Sequence, residues 1–229
     1  MSIKLINIAI DGHSSCGKSS IAKHISKEFN MKYVDSGAMY RAITFYCIEN
    51  DIIYNNKINH YLLLKSLDKI DISFNHNAKL SITETLLNGQ NVENLIRDHN
   101  VSNHVSDISK MKQVREKLIN FQQKICANKN VVMDGRDIGT KVMPNADIKF
   151  FVTADINIRA KRRFDELKIH NHKITYDQVL VNLNKRDSDD MGREINPLLQ
   201  AKDAIVINNT LLNFNQQNEL VCQLIKKNV

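Results

Sequence analysis

Hydrophobic positions along the chain switch between two spacings. Residues 5–10 form a short apolar run, interrupted by Asn7 and closed by Asp11-Gly12, which predicts a buried strand. Ile21, Ala22, Ile25 and Phe29 fall at helical spacing, so a helix is expected from about Lys18. Tyr33-Val34 predicts a short strand. Asp35-Ser36-Gly37 reads as a turn with a helix N-cap, and a helix follows over 38–48. Between about 70 and 92 the period drops to two, as in Ile70, Ile72, Phe74 and Leu80, Ile82, with Asn-rich turns and an Asn88-Gly89 hairpin signal. Met111, Val114, Leu118, Phe121 and Ile125 restore a helical stripe. Residues 131–133 and 148–152 predict two more buried strands, 156–167 and 176–183 helices, 204–207 a fourth strand and 218–225 a last helix.

Alternation of strand and helix predicts an α/β fold with a parallel sheet and helices on both faces. The β-rich stretch interrupts it and reads as an insertion at about 68–95. Neither an internal repeat nor a Gly/Ser-rich linker occurs, so one domain over 1–229 is expected, with mobile appendages.

The chain has 229 residues, enough to bury a core without disulfides or metals. Apolar residues are 42% and charged residues 25%, which excludes collagen-like and wholly disordered classes. The apolar runs fall short of a membrane span, and the first is too short for a secretory leader. The expectation is a cytoplasmic protein. Cys16, Cys47, Cys126 and Cys222 are widely separated, which suggests free thiols. Asparagine is abundant, at 28 residues, and reads as a codon bias towards Asn and Lys. The net charge of +7 therefore fits either nucleic acid or anionic small substrates.

Only seven glycines occur, so each is expected at a position needing positive φ or close approach. Two of them frame residues 12–19, Gly12-His13-Ser14-Ser15-Cys16-Gly17-Lys18-Ser19, a complete G-x-x-x-x-G-K-[ST] loop after a strand and before a helix. Its glycines permit a tight loop whose amides converge on phosphate oxygens, and the helix N-terminus adds positive charge. Lys18 carries a charge to the β/γ-phosphates, and the Ser19 hydroxyl suits Mg²⁺. Cys16 is either a small residue that fits or a thiol acidified by the helix terminus.

Arginine, suited to bidentate phosphate contact, recurs beside aspartate. Arg41 follows Asp35, Arg136 sits between Asp134 and Asp137, Arg186 and Arg193 flank an acidic run, and Arg159, Arg162 and Arg163 share one helix. This suggests a second anion site, as a phosphotransferase needs.

With these segments in place, the chain resembles the bacterial cytidylate kinases of the P-loop nucleoside monophosphate kinase group. The matching stretches are 8–20 (IAIDGHSSCGKSS), 35–41 (DSGAMYR), 114–118 (VREKL), 133–139 (MDGRDIG) and 186–198 (RDSDDMGREINPL). The resemblance implies a P-loop fold with a small β-rich insertion by the CMP site and a helical lid near 156–193. It implies ATP and Mg²⁺ at Gly12, His13, Ser14, Ser15, Cys16, Gly17, Lys18, Ser19, Ser20 and Arg159, with the metal on Ser19. It implies CMP contacts from Ser36 and Ser106, with Arg115 and Asp137 on cytosine, Arg41 and Arg136 on the phosphate, and Arg186 and Asp190 on the ribose. Arg193 would serve near the base or the transferring phosphate. Lys18, Arg136, Arg186 and Arg193 would be the catalytic charges. His13 stands where the family often has Pro, and Asp189 where some members have Arg.

The expected reaction is ATP + CMP → ADP + CDP, with dCMP also accepted, in pyrimidine nucleotide metabolism. A monomer acting on small nucleotides is expected, without nucleic acid or membrane. A P-loop kinase for UMP, GMP or a non-nucleotide acceptor, and an ATP-switched nucleic-acid binder, remain as alternatives. A moving connection is expected at 168–173.

Overall fold

In the computed structural model, residues 5–77, 82–169 and 174–228 are described. Two compact units divide the chain: Met1–Tyr33 with Cys126–Val229, and Val34–Ile125.

The first unit is built on a five-stranded sheet. Its strands are β1 (Asn7–Gly12), β2 (Lys32–Asp35, along which the chain passes into the second unit), β8 (Val131–Gly135), β9 (Ile148–Thr153) and β10 (Ile205–Asn208), in the order β10-β9-β1-β8-β2. β1 runs parallel to both β8 and β9, and β10 runs parallel to β9. Strands covered on both faces read as apolar runs. Ile8, Ile10, Val132, Phe150 and Val152 accordingly lie in the core with Ile21, Ala22 and Ile25 of α1 (Lys18–Glu28) and Val221 and Ile225 of α8 (Phe214–Asn228). Ala160 of α6 (Ile156–Lys168) and Val179 and Leu183 of α7 (Tyr176–Met191) form a smaller cluster.

The second unit begins with α2 (Ser36–Glu49), capped by the Asp35 carboxylate, which accepts from Ala38 N. A short hairpin, β3 (Ile53–Tyr54) and β4 (Lys57–Ile58), leads to α3 (His60–Ser66). The expected meander is β5 (Ile72–Asn77), β6 (Ile82–Leu87) and β7 (Gln90–Asn91), paired antiparallel. Its hairpin turn has Asn88 and Gly89 at φ 50° and 82°. Leu80 lies outside the described residues. Two helices close the unit, α4 (His99–Lys110) and α5 (Lys112–Cys126).

The main corrections to the sequence reading are lengths. α7 runs to Met191, eight residues beyond the expected end. Val179, Leu183 and Asp187 form one buried stripe at four-residue spacing, but its last member is a carboxylate, which apolar periodicity does not register. α8 starts at Phe214, and α3 and α4 were not anticipated. The connection expected to move falls mostly on residues 170–173, outside the described residues.

Candidate active site

Gly12 ends the central strand at φ 148°, and a Cβ there would lie 2.0 Å from the Val152 carbonyl oxygen of the neighbouring strand. Only glycine fits. The loop then passes through Ser15 at φ 57° and Gly17 at φ 89° into α1, whose first residue is Lys18. The Lys18 ammonium turns back to donate to the His13 carbonyl and lies 3.6 Å from the Cys16 thiol. Burial, then the nearby Arg136, lowers its pKa. Cys16 has no exposed surface, and all four cysteines are free. The His13 ring packs edge-on against Phe151. Burial lowers the His13 pKa against the opposing charge of Asp187. Ser20 faces solvent.

Remote residues hold this loop from behind. Asp187 Oδ1 accepts from Ser14 N at 3.1 Å, and Arg159 donates to the Ser14 carbonyl at 3.1 Å and to Asp187 Oδ2. Both side chains are more than nine-tenths buried, so this is an enclosed ion pair. Asn209, fully buried, donates to the Cys16 carbonyl at 2.8 Å and to Gln217 Oε1 at 2.9 Å. Arg162 braces Asn209 in turn, through its side chain at 3.0 Å and its carbonyl at 2.9 Å. Asp187 and Asn209 escaped the sequence reading because neither lies in a recognisable spacing with the loop.

The carboxyl end of β8 brings the next group. Asp134 accepts from Ser19 Oγ and Tyr33 Oη, each at 2.9 Å. A hydroxyl and a carboxylate side by side at the phosphate loop are hard oxygen donors, which fit a divalent cation completed by phosphate and water. Among the described residues, no three His, Cys, Asp or Glu side chains gather as a protein-only metal site. Arg136 directs Nη2 to Ser14 Oγ at 3.3 Å and Nε to Asp190 Oδ2 at 2.6 Å. Arg193 Nη1 lies 3.5 Å from the other Asp190 oxygen. Burial alone would raise the Asp190 pKa, but Arg136 and Arg193 outweigh it and hold it down. Burial likewise opposes the charge on Arg136, and Asp190 reverses that effect. Arg186 sits one turn before Asp190 on α7 and adds to the same field. Asp137 is buried and stands directly before a single π-helical turn, Ile138–Val142.

In the second unit, Ser36 is the buried first residue of α2. Arg41 and Arg97 both donate to Asp35 Oδ2 at 2.9 Å, and Arg97 also pairs with Glu93. Burial would raise Asp35, yet the two guanidiniums bring it down to about 2. Arg97 is outside every motif and was missed. Arg115 of α5 is 1% exposed, faces the Tyr40 ring at 5.6 Å and donates to the Ser109 carbonyl at 3.0 Å. Ser109 Oγ donates to the carbonyl of Ser106 at 2.9 Å, which ties Ser106 to the same cluster.

A family model described as cytidylate kinase matches residues 8–227. The chain belongs to the cytidylate kinase family. A cytidylate kinase of Flavobacterium psychrophilum is 46% identical over 223 residues, 97% of this chain and 99% of that one. A cytidylate kinase of Bacteroides thetaiotaomicron is 46% identical over 225 residues, 98% of each. The matched span takes in the phosphate loop and the Arg136–Asp137 and Arg186–Arg193 segments. A crystal structure of an uncharacterized protein from Eubacterium ventriosum superposes with a TM-score of 0.53 at 14% identity, covering 98% of this chain and 99% of that one, which speaks to fold alone. No helix among the described residues is long and apolar enough to cross a membrane.

Proposed function

We propose that the chain transfers the γ-phosphoryl group of ATP to CMP, and to dCMP, forming CDP and dCDP. The observation that carries this reading is the match to cytidylate kinases over nearly the whole chain. The contact of Arg136 with Ser14 of the phosphate loop agrees with it, because it sets an acceptor-side arginine beside the donor loop.

The nucleophile is a phosphate oxygen of CMP. A phosphomonoester has its second pKa near ~6, so it is largely dianionic at neutral pH and needs no general base. The obstacle is repulsion between two anions held in line, together with charge spread over the equatorial oxygens of a loose transition state. Amides of residues 12–19 and Lys18 cradle the donor phosphates. Arg136 and Arg193, fixed by Asp190, and Arg186 on the same helix supply positive charge to the transferring group. Ser19, with Asp134 beside it, would hold Mg²⁺, which shields the phosphate oxygens when bound with ATP.

On the acceptor side, Arg41 would take the CMP phosphate with Arg136, and Ser36 and Ser106 would contact the nucleotide. Arg186 and Asp190 would contact the ribose. Asp137 would accept from the exocyclic amine of cytosine, with Arg115 as the donor to the ring. Uracil presents an oxygen at that position, which a carboxylate repels. The chain is taken to act as a cytoplasmic monomer.

A coupled ADP-release assay with ATP, Mg²⁺ and CMP, dCMP, UMP, GMP or AMP tests the reading. Highest kcat/KM with CMP is expected. Preference for another acceptor would overturn the acceptor assignment and keep the fold.

A further inference from the structure

We infer that Asp11 is a positioning residue that holds the Arg136–Asp137 segment in register with the phosphate loop. The inference rests on the proposed CMP reading, and it concerns a residue whose two carboxylate oxygens are taken by backbone amides.

Asp11 is the penultimate residue of the central strand, 3% exposed, directly before Gly12. Its two oxygens are taken by two successive amides. Oδ1 accepts from Ile138 N at 2.8 Å, and Oδ2 accepts from Gly139 N at 2.7 Å. These are the first amides of the π-helical turn Ile138–Val142. The opening amides of a helical turn have no partner within it and need an external acceptor. The cap residue, Asp137, makes no side-chain capping bond here, so Asp11 fills that role across two strands.

The covalent geometry carries the effect to the substrate residues. Ile138 N is bonded to the carbonyl carbon of Asp137, so fixing that amide fixes the backbone of Asp137. Arg136 is one residue further back. Gly139 lets the turn come this close, since a Cβ there would lie 3.3 Å from Asp11 Oδ2 and 3.2 Å from Lys149 Cδ. A carboxylate can accept both bonds at once, whereas an amide of the same shape presents one acceptor and one donor. A carboxylate is costly at this depth. Burial pushes its pKa up to about 6, against the hydrogen bonds of Gly139 and Ile138 and the charge of Lys18, and Asp137 pushes the same way as burial. The bonds to Ile138 N and Gly139 N offset that cost by satisfying the opening of the turn.

The test uses the full chain and Asp11→Asn, with wild type alongside. Backbone amide NMR should show Ile138 and Gly139 displaced in the variant, and Arg136 and Asp137 displaced with them. In steady state, KM for CMP should rise on the order of tenfold or more, from loss of a charged hydrogen bond. The CMP-to-UMP ratio of kcat/KM should narrow, while KM for ATP stays within roughly threefold. A simple loss of folded protein lowers all rates together and leaves that ratio unchanged. A folded variant with an unaltered ratio and unaltered KM for CMP overturns the inference. If Asp11→Asn does not fold, the wild type decides by pH titration. The amides of Ile138 and Gly139 should titrate together with those of Arg136 and Asp137, with a midpoint near 6. Movement of the first pair without the second overturns the inference. If wild type ignores CMP, the acceptor reading fails, and the amide displacements alone judge Asp11.

Discussion

Asp190 Oδ2 accepts from Arg136 Nε at 2.6 Å. This bond joins the end of strand β8 to the last turn of α7, and Arg193 approaches the opposite oxygen of the same carboxylate. Asp190 thus sets the angle at which Arg136 meets Ser14. Asp190→Asn removes the charge and keeps the shape. A hydrogen bond to a charged group contributes about 1.5–3 kcal/mol, so kcat/KM with CMP should fall on the order of ten- to hundredfold. Unchanged kcat/KM in the ADP-release assay would disprove the coupling.

Asp137→Asn should narrow the preference for CMP over UMP by about tenfold or more, by exchanging an acceptor for a mixed donor and acceptor. Parallel kinetics with both nucleotides read this directly. Equal losses for the two would remove Asp137 from base recognition.

Arg159 and Asp187 form a buried pair whose separation is costly. Arg159→Met should destabilise the chain by about 3–5 kcal/mol in urea unfolding, because it strands the Asp187 charge. Combining it with Asp187→Leu should recover much of that loss, though ATP affinity should remain low because Ser14 has lost both backbone partners. A double variant no more stable than the single would refute this account.

Asp35, held down to about 2, binds fewer protons folded than unfolded between that value and 3.8. Its contribution is present above about pH 4 and lost as pH falls through 2, amounting to about 2 kcal/mol. Asparagine caps a helix as well as aspartate does. Asp35→Asn therefore preserves the cap of α2 and removes only the charge interaction with Arg41 and Arg97. The stability difference between wild type and variant should shrink between pH 5 and pH 2.5, measured by denaturant unfolding. A difference constant across that range would contradict it.

Gly12→Ala places a methyl 2.0 Å from the Val152 carbonyl oxygen, at a φ that disfavours side chains. Strands β1 and β9 would have to part, so soluble folded protein should be scarce. A variant with wild-type melting temperature would show that the strands can separate there cheaply.

Much of the sheet was legible because parallel strands buried on both faces announce themselves as apolar runs. The phosphate loop was legible because its glycines are obligatory, and the arginine segments because their motifs are long. What sequence could not supply was long-range polar pairing. Asp187 reads as one member of the acidic run between Arg186 and Arg193, yet its place on the Val179–Leu183 stripe turns it inward to Arg159. Arg97 lies in no motif, yet it shares an oxygen of Asp35 with Arg41. Neither relationship has a period, so each emerges only when separate elements meet.

The backbone partners of the phosphate loop come from far along the chain: the Ser14–Asp187 bond spans 173 positions and the Cys16–Asn209 bond 193. A growing polypeptide therefore displays its complete nucleotide motif long before it owns the groups that shape it. Chains released by the ribosome short of residue 209 would carry the phosphate-loop sequence without the Asn209 bond to its Cys16 carbonyl.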